Sequence, residues 1–274
     1  VVVNELLFNP FSGDADWIEL YNSSEKLIDL YNWELANFSN DTIANFKLIT
    51  EHYLLYPDSY VVIAEDSFQV AQTYSLAYTP GKIIQMDLPS LSNDSGTVYL
   101  QTMNTMIDKV SYDDAWHFKL LDNSDGKSLE RIDPEGTSTN KYNWHTASEA
   151  FNFGTPTRKN SQFNPISING EFEYNSTVIS PDNDMVDDVL IISYKMIEEG
   201  LVANFTVYDD RGRLISKVIQ NELLGTEGFF SWDGVRKDNT KATIGIYVGV
   251  FEAFGINGGL IFSDKKAFTV AGKL

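Results

Sequence analysis

Four aspartates, Asp182, Asp184, Asp187 and Asp188, crowd one short stretch of this chain. Hard carboxylate oxygens at such spacing are the donors that calcium takes. The stretch departs from the EF-hand template, however. Val186 stands at its fifth position, Asp187 at the sixth where Gly belongs, and Ser193 where a bidentate Glu belongs. The expectation is therefore a solvated turn whose Asp side chains accept from nearby backbone N–H groups, with no metal. Glu5 and Glu19, with Asp16 close by in sequence, are a second candidate. Two carboxyls can share general acid and base work on sugars when roughly 5–9.5 Å apart. Nothing else in the chain completes such a site, so these acids are expected to accept hydrogen bonds from loop backbone and pin one end of the fold. The three histidines, His52, His117 and His145, show no H-x-x-x-H spacing, and no G-x-S-x-G, P-loop or dinucleotide fingerprint occurs. A hydrolase stays open only as a spatial assembly of these scattered groups.

Tryptophans offer a third kind of chemistry, stacking on a ligand. Trp17 and Trp33 lie within apolar strand patterns and are expected in the core, and Trp232 before Asp233-Gly234 reads as a buried anchor followed by a turn. Trp116 differs, because Asp113, Asp114 and His117 flank it in an irregular segment. Asp113, Asp114, Trp116 and His117 are the candidate binding residues, set against the plainer reading of an aromatic plugging one end of a sandwich.

Composition narrows what these residues could serve. The chain has 274 residues, long enough for two domains that each bury a core. It has no cysteine, which removes disulfides, thiolate metal sites and a Cys nucleophile. Its 20 basic and 39 acidic residues give a net charge of −19, a surface that repels phosphate backbones, so no nucleic-acid partner is expected. No run of about 18 apolar residues suggests a membrane span. No cofactor is implied. The chain begins at Val1 inside a strand pattern without a signal peptide, and reads as part of a longer polypeptide.

The elements that must position these residues read as strands. Asn4–Pro10, Asp16–Ser24 and Leu27–Ala36 are apolar runs broken by turn formers. Pro57-Asp58 turns the chain before a strand at Tyr60–Ala64, and a short helix is expected over Asp66–Tyr74 with Asp66 or Ser67 as its cap. Leu91–Leu100 reads as a bend and strand, Met106–Tyr112 as a strand, and Asp113–Asn160 as a long irregular segment. Thr157–Gln162 reads as a polar connector, with a new unit from Phe163–Pro165. Beyond it Ala203, Phe205 and Val207 alternate with polar neighbours, Asp209–Gly212 makes a tight turn, and Asn257-Gly258-Gly259 makes another. Ile244–Phe254 is apolar on both faces and predicts a central strand covered on each side.

In these motifs, together with Ser128–Gly136, Trp144 and Asn152–Asn160, residues 1–160 resemble bacterial lamin-tail domains, which implies an immunoglobulin-like sandwich. Residues 163–274 resemble the immunoglobulin-like domain of flagellar hook-capping proteins through Ile179–Tyr194, Val207–Ile215, Phe230–Gly234 and Gly245-Ile246-Tyr247. In that family Gly usually stands at the place of Met185. The resemblance extends to C-terminal sorting domains through the D-x-x-G-R turn, the G-x-Y strand and the ending Lys265 to Val270. The fold class that follows is all-β, two tandem immunoglobulin-like β-sandwiches. The function it implies is a non-catalytic module pair, not an enzyme, of a secreted or cell-surface bacterial protein, binding an unidentified protein or glycan. The alternative is a structural or secretion-sorting C-terminal region of a larger exported protein.

Overall fold

The computed structural model describes residues 1–103, 105–164, 172–196, 199–256 and 258–272. Pro165 and Asn257, placed by the sequence at the connector and the last turn, lie outside the described residues. The chain forms two compact units, Val1–Pro165 and Ile166–Leu274. Both are β-sandwiches of immunoglobulin-like class. Among the described residues no helix is long and apolar enough to cross a membrane.

The first unit contains β1 (Val2–Leu7), β2 (Trp17–Tyr21), β3 (Ile28–Asp29), β4 (Trp33–Ser39), β5 (Thr42–Leu48), β6 (Leu54–Leu55), β7 (Tyr60–Ala64), β8 (Ile83–Gln85), β9 (Ser95–Thr102), β10 (Thr105–Asp113), β11 (Leu129–Arg131) and β12 (Trp144–Thr146). One sheet runs β12-β11-β1-β2-β7-β8 and faces a second, β10-β9-β4-β5. Alternation decides what lies between them. Leu6, Ile18, Leu20, Val61 and Ile63 from the first sheet meet Leu35, Val98, Leu100, Val110 and Tyr112 from the second in one buried cluster. The opposite face of the first sheet is buried as well. Leu7, Trp17, Val62 and Ala64 pack there against Val70 of α1 (Ser67–Thr73) and its C-cap Tyr74, and the start of this helix is fixed by Gln69 N–H donating to Asp66 Oδ1 at 3.0 Å.

The irregular segment 113–160 is less irregular than its sequence suggests. Leu129–Arg131 and Trp144–Thr146 are strands on the edge of the first sheet, too short for periodicity to announce them. The expected connector is a second correction. Thr157, Asn160 and Gln162 are buried at 0%, 5% and 6% exposure, so this segment is interior to the first unit.

In the second unit, β13 (Phe172–Tyr174), β14 (Val178–Ile179), β15 (Leu190–Lys195), β16 (Val202–Asp209), β17 (Leu214–Leu223), β18 (Glu227–Trp232), β19 (Gly245–Phe254) and β20 (Leu260–Val270) make a three-stranded sheet, β13-β15-β18, and a five-stranded one, β14-β20-β19-β16-β17. The core between them is aromatic. Phe172 stacks on Phe251 at 5.2 Å, and Phe205, Phe230, Trp232, Tyr247 and Phe268 extend the contact. Gly249 makes room for it, since a Cβ there would lie 2.3 Å from the Phe205 ring and the Tyr174 hydroxyl. The expected turn at Asp209–Gly212 forms, with φ +75° at Gly212 and the Gly212 N–H donating to Asp209 O at 3.0 Å. β19 is central as expected, but it is covered on one face only: Tyr247 and Phe251 are buried, whereas Ile246 is 59% exposed. Apolar residues on both faces therefore did not require a layer on each.

Candidate functional site

The strongest gathering of ionisable groups is a row of three glutamates across neighbouring strands. Glu5 on β1 stands opposite Glu130 on β11 and opposite Glu19 on β2. A register shift in β1 between Val3 and Glu5 lets both Val3 and Leu6 reach the core while Asn4 and Glu5 serve the outer network. All three carboxyls are at 0% exposure. The segment 155–162 crosses them and supplies most of their donors. Thr155 N–H donates to Glu5 Oε1 at 2.8 Å, and the Thr155 hydroxyl bridges Glu5 and Glu130. Thr157 N–H donates to Glu19 Oε2 at 2.5 Å. The Ser161 hydroxyl and Gln162 N–H both donate to Glu130 Oε2 at 2.8 Å. From the sheet itself, Ser128 donates to Glu5 and the Asn4 amide to Glu19. Asn160 ties the strap to the sheet by donating to Arg131 O at 2.8 Å and to Asn4 O at 3.1 Å.

Burial pushes the Glu5 and Glu19 carboxyls well above the usual carboxylate range. Neighbouring acids add to the shift, Glu130 at Glu5 and Glu5 at Glu19, and the donated hydrogen bonds hold it back. Glu130 is raised by burial too. Three buried carboxyls in a row, held by hydroxyl, amide and backbone N–H donors, retain a proton more readily than free ones do. Chemically they are buried acceptors that fasten a strap. Asp16 stands outside this row. Its carboxyl is pushed up to about 7, by burial first and then by the Glu65 carboxylate, while the Leu91 N–H opposes the shift.

The four candidate binding residues occupy one corner of the same unit. Asp113 caps a 3₁₀ turn, Asp114–Trp116, by accepting from Ala115 N–H at 2.8 Å. Trp116 packs, partly buried, on the main core. His117 is buried, its ring 5.6 Å from that of Phe8 and its Nδ1 3.0 Å from Thr146 Oγ1. Burial brings its pKa down to about 4, against an upward pull from Asp114, so the imidazole is neutral at pH 7. Asp114 Oδ1, His117 Nε2 and His145 Nε2 are buried without a hydrogen-bond partner. The third histidine is far from this corner in character: His52 is exposed, lies 2.7 Å from Asp29 Oδ2, and borders a shallow cavity of about 170 Å³.

In the second unit, Asp182, Asp184 and Asp188 bring carboxylate oxygens within 4.8 Å of one another, and the fourth aspartate, Asp187, is not among them. Asp188 behaves as the sequence suggested, accepting from the N–H groups of Asp182, Asp184 and Met185. Asp182 does not: both its oxygens are buried without a partner. Burial and the adjacent Asp184 and Asp188 raise its pKa, with Lys241 opposing. Met185 has φ +87°, a region that favours glycine, which is a physical reason for Gly at this place in the resembling family.

Sequence reasoning missed Glu130, Thr155, Asn160 and Ser161. The available signal was Ser128–Ile132, where Ser128, Glu130 and Ile132 alternate with Leu129 and Arg131, but both sets proved buried. The family model of the Lamin Tail Domain matches residues 1–114. That match lies within the first unit and agrees with its β-sandwich fold. The match stops short of the 1–160 expected from the motifs, although β11, β12 and the strap complete the same sandwich. No curated protein matches the chain. Among solved structures, CopC from Methylosinus trichosporium OB3b is similar at 16% identity and a TM-score of 0.22, over 31% of this chain and 76% of that one. Dimeric latent PorU from Porphyromonas gingivalis is similar at 10% identity and a TM-score of 0.31, over 98% of this chain and 20% of that one. PorZ, a surface component of the type-IX secretion system of the same organism, is similar at 12% identity and a TM-score of 0.25, over 97% and 38%. The chain thus spans well under half the length of either Porphyromonas protein, and scores this low carry no further argument.

Proposed function

We propose that the chain is a non-catalytic pair of immunoglobulin-like modules, residues 1–160 and 163–274, from a secreted or cell-surface protein, and that it binds a protein or glycan partner. The observation that carries this reading is the sealed row of Glu5, Glu19 and Glu130. The acids best placed for catalysis are closed off under the 155–162 strap and used as structural acceptors. What such a sandwich offers a partner is its loops, held by rigid sheets. The segment 113–160, with β11 and β12 between its loops, carries three buried polar atoms without protein partners, on Asp114, His117 and His145. Ala115, Lys119, Asp122 and Asn123 are among its exposed residues.

The test is to present the full chain to glycan microarrays and to arrays of surface proteins, then map any hit by hydrogen exchange. Protection confined to residues 113–160 is expected. A hit that protects other segments instead, or blank arrays with a chain that melts cooperatively, contradicts the reading. The sorting alternative draws less support from the fold: Lys265–Val270 is built into β20, paired with β19 and β14.

A further inference from the structure

We propose that one end of the second unit docks on the surface of a zwitterionic phospholipid bilayer, with the β19–β20 turn entering the lipid interface. The sequence sets this turn apart. Residues 253–263 carry no charge in a chain whose net charge is −19, and they include Phe254, Ile256, Leu260, Ile261 and Phe262. The fold leaves most of these side chains open to solvent. Ile256 is 95% exposed, Leu260 56% and Ile261 53%. Strand pairing carries the apolar surface across the sheet. Leu223 on β17 stands opposite Val202 on β16, Val202 opposite Phe254 on β19, and Phe254 opposite Leu260 on β20. This row faces outward, because its neighbours Ala203 and Ala253 point into the core at 0% exposure. The β19–β20 register shifts between Ala253 and Phe254, which leaves Ile261 as the extra residue and adds it to the patch beside Leu260.

Contiguous exposed apolar side chains mark a contact with a protein or a membrane, and two features of this end select the membrane. The first is the backbone of the turn. Gly255 N–H donates to Gly259 O at 2.9 Å and Gly258 N–H to Gly255 O at 2.8 Å, so the turn closes on itself. Lipid admits backbone whose polar groups are paired internally, a demand that a protein groove does not make. The second is charge. The strand ends that meet here carry Glu199 before β16, Glu227 at the start of β18 and Glu252 two residues before Phe254. Lys195 at the end of β15 answers one of them, its Nζ lying 3.8 Å from Glu227. An acidic rim around an uncharged tip suits headgroups that carry an ammonium, as phosphatidylcholine does, and is repelled by the negative surface of anionic lipid. One turn without an acyl chain attaches weakly, with an affinity for lipid no stronger than that of a single myristoyl chain, about 10⁴ M⁻¹. This end of the second unit lies outside the corner proposed for partner binding and does not depend on that reading.

The test is co-flotation of the full chain with phosphatidylcholine vesicles, and with vesicles in which phosphatidylglycerol replaces part of that lipid, at about 0.15 M salt. The wild type is expected to float with phosphatidylcholine, and less of it with the anionic vesicles. Ile256→Asp is expected to weaken binding at least about tenfold, since an acid resists transfer into lipid. Its melting temperature is expected to match the wild type, because residue 256 is almost fully exposed. Ile256→Trp is expected to bind at least as well as the wild type, because indole favours the interface. No flotation of the wild type overturns the proposal. So does equal binding by a folded Ile256→Asp chain, and so does stronger binding to the anionic vesicles. A dimer that forms without lipid and that Ile256→Asp dissociates overturns it as well, and assigns the patch to a second copy of the chain.

Discussion

Glu130→Ala destabilises the first unit by about 3 kcal/mol or more, and Glu130→Gln by far less. The alanine variant strips the acceptor from the Thr155 hydroxyl, the Ser161 hydroxyl and the Gln162 N–H. A buried donor left without its acceptor costs about 1–3 kcal/mol. Rearrangement lets one or two of the three find other partners, so the low end of their sum is the expected loss. Glutamine keeps one carbonyl oxygen in place and removes a buried carboxyl from beside Glu5. The loss of hydrogen bonding is then offset by relief of the like-charge contact that raises the Glu5 pKa. Urea unfolding of both variants, with hydrogen exchange of residues 153–162, checks this. In the alanine variant the strap exchanges early, and in the glutamine variant it stays protected. Equal losses in the two variants would mean that the carboxyl fills space and fastens nothing.

Arg131→Ala is expected to cost about 3–5 kcal/mol, because it leaves a buried carboxylate without its counter-charge. The guanidinium is at 0% exposure. It donates to Pro134 O at 3.3 Å, to Asp108 Oδ2 at 3.5 Å and to the Ser138 hydroxyl, and it lies 5.4 Å from the centre of the Trp144 ring. Asp108 in turn accepts from Val3 N–H at 2.8 Å, so the ion pair links β11, β10 and the first strand of the sandwich. Both sheets meet at this point. The Arg131→Ala/Asp108→Ala double variant should lose less than the sum of the two single changes, since removing both charges avoids the stranded one. Additive losses in urea unfolding would show that the arginine acts by packing alone.

The sequence made the inward half of each strand easy to read and the outward half hard. Ile18 and Leu20, or Phe205 and Val207, alternate with other residues as a half-buried strand must, and they lie in the two cores. Turn chemistry was equally legible at Asp66, Gly212 and Gly234, where a cap or a positive φ is demanded. Glu5 and Glu19 occupy outward positions, where an acid ordinarily meets water. Their burial depends on a strap roughly 140–150 residues later in the chain, and no local pattern encodes that contact. For the same reason the strap reads in sequence as a connector: Thr157–Gln162 is polar because its groups face carboxyls inside the protein. The Asp182 loop was legible as a turn, while the closeness of the Asp182, Asp184 and Asp188 carboxylates within it required coordinates.

The central claim is that the glutamate row is a sealed, proton-retaining fastening and not a reactive site. A carboxyl whose folded pKa exceeds its unfolded value of about 4.3 binds more protons when folded, so the stability it contributes is present below that value and is lost as pH rises toward the folded pKa. Each such group changes stability by up to about 1.4 kcal/mol per pH unit. The most direct measurement is urea unfolding of the wild type and Glu5→Gln at half-unit steps between pH 5 and 8. The shifts at Asp16 and His117 are shared by both chains and cancel in the difference. The account predicts that Glu5→Gln gains on the wild type steadily as the pH rises, by more than about 1 kcal/mol over the range. A constant gap, or a wild type that gains on the variant with rising pH, would show these carboxylates to be ordinary ionised acids and contradict the account.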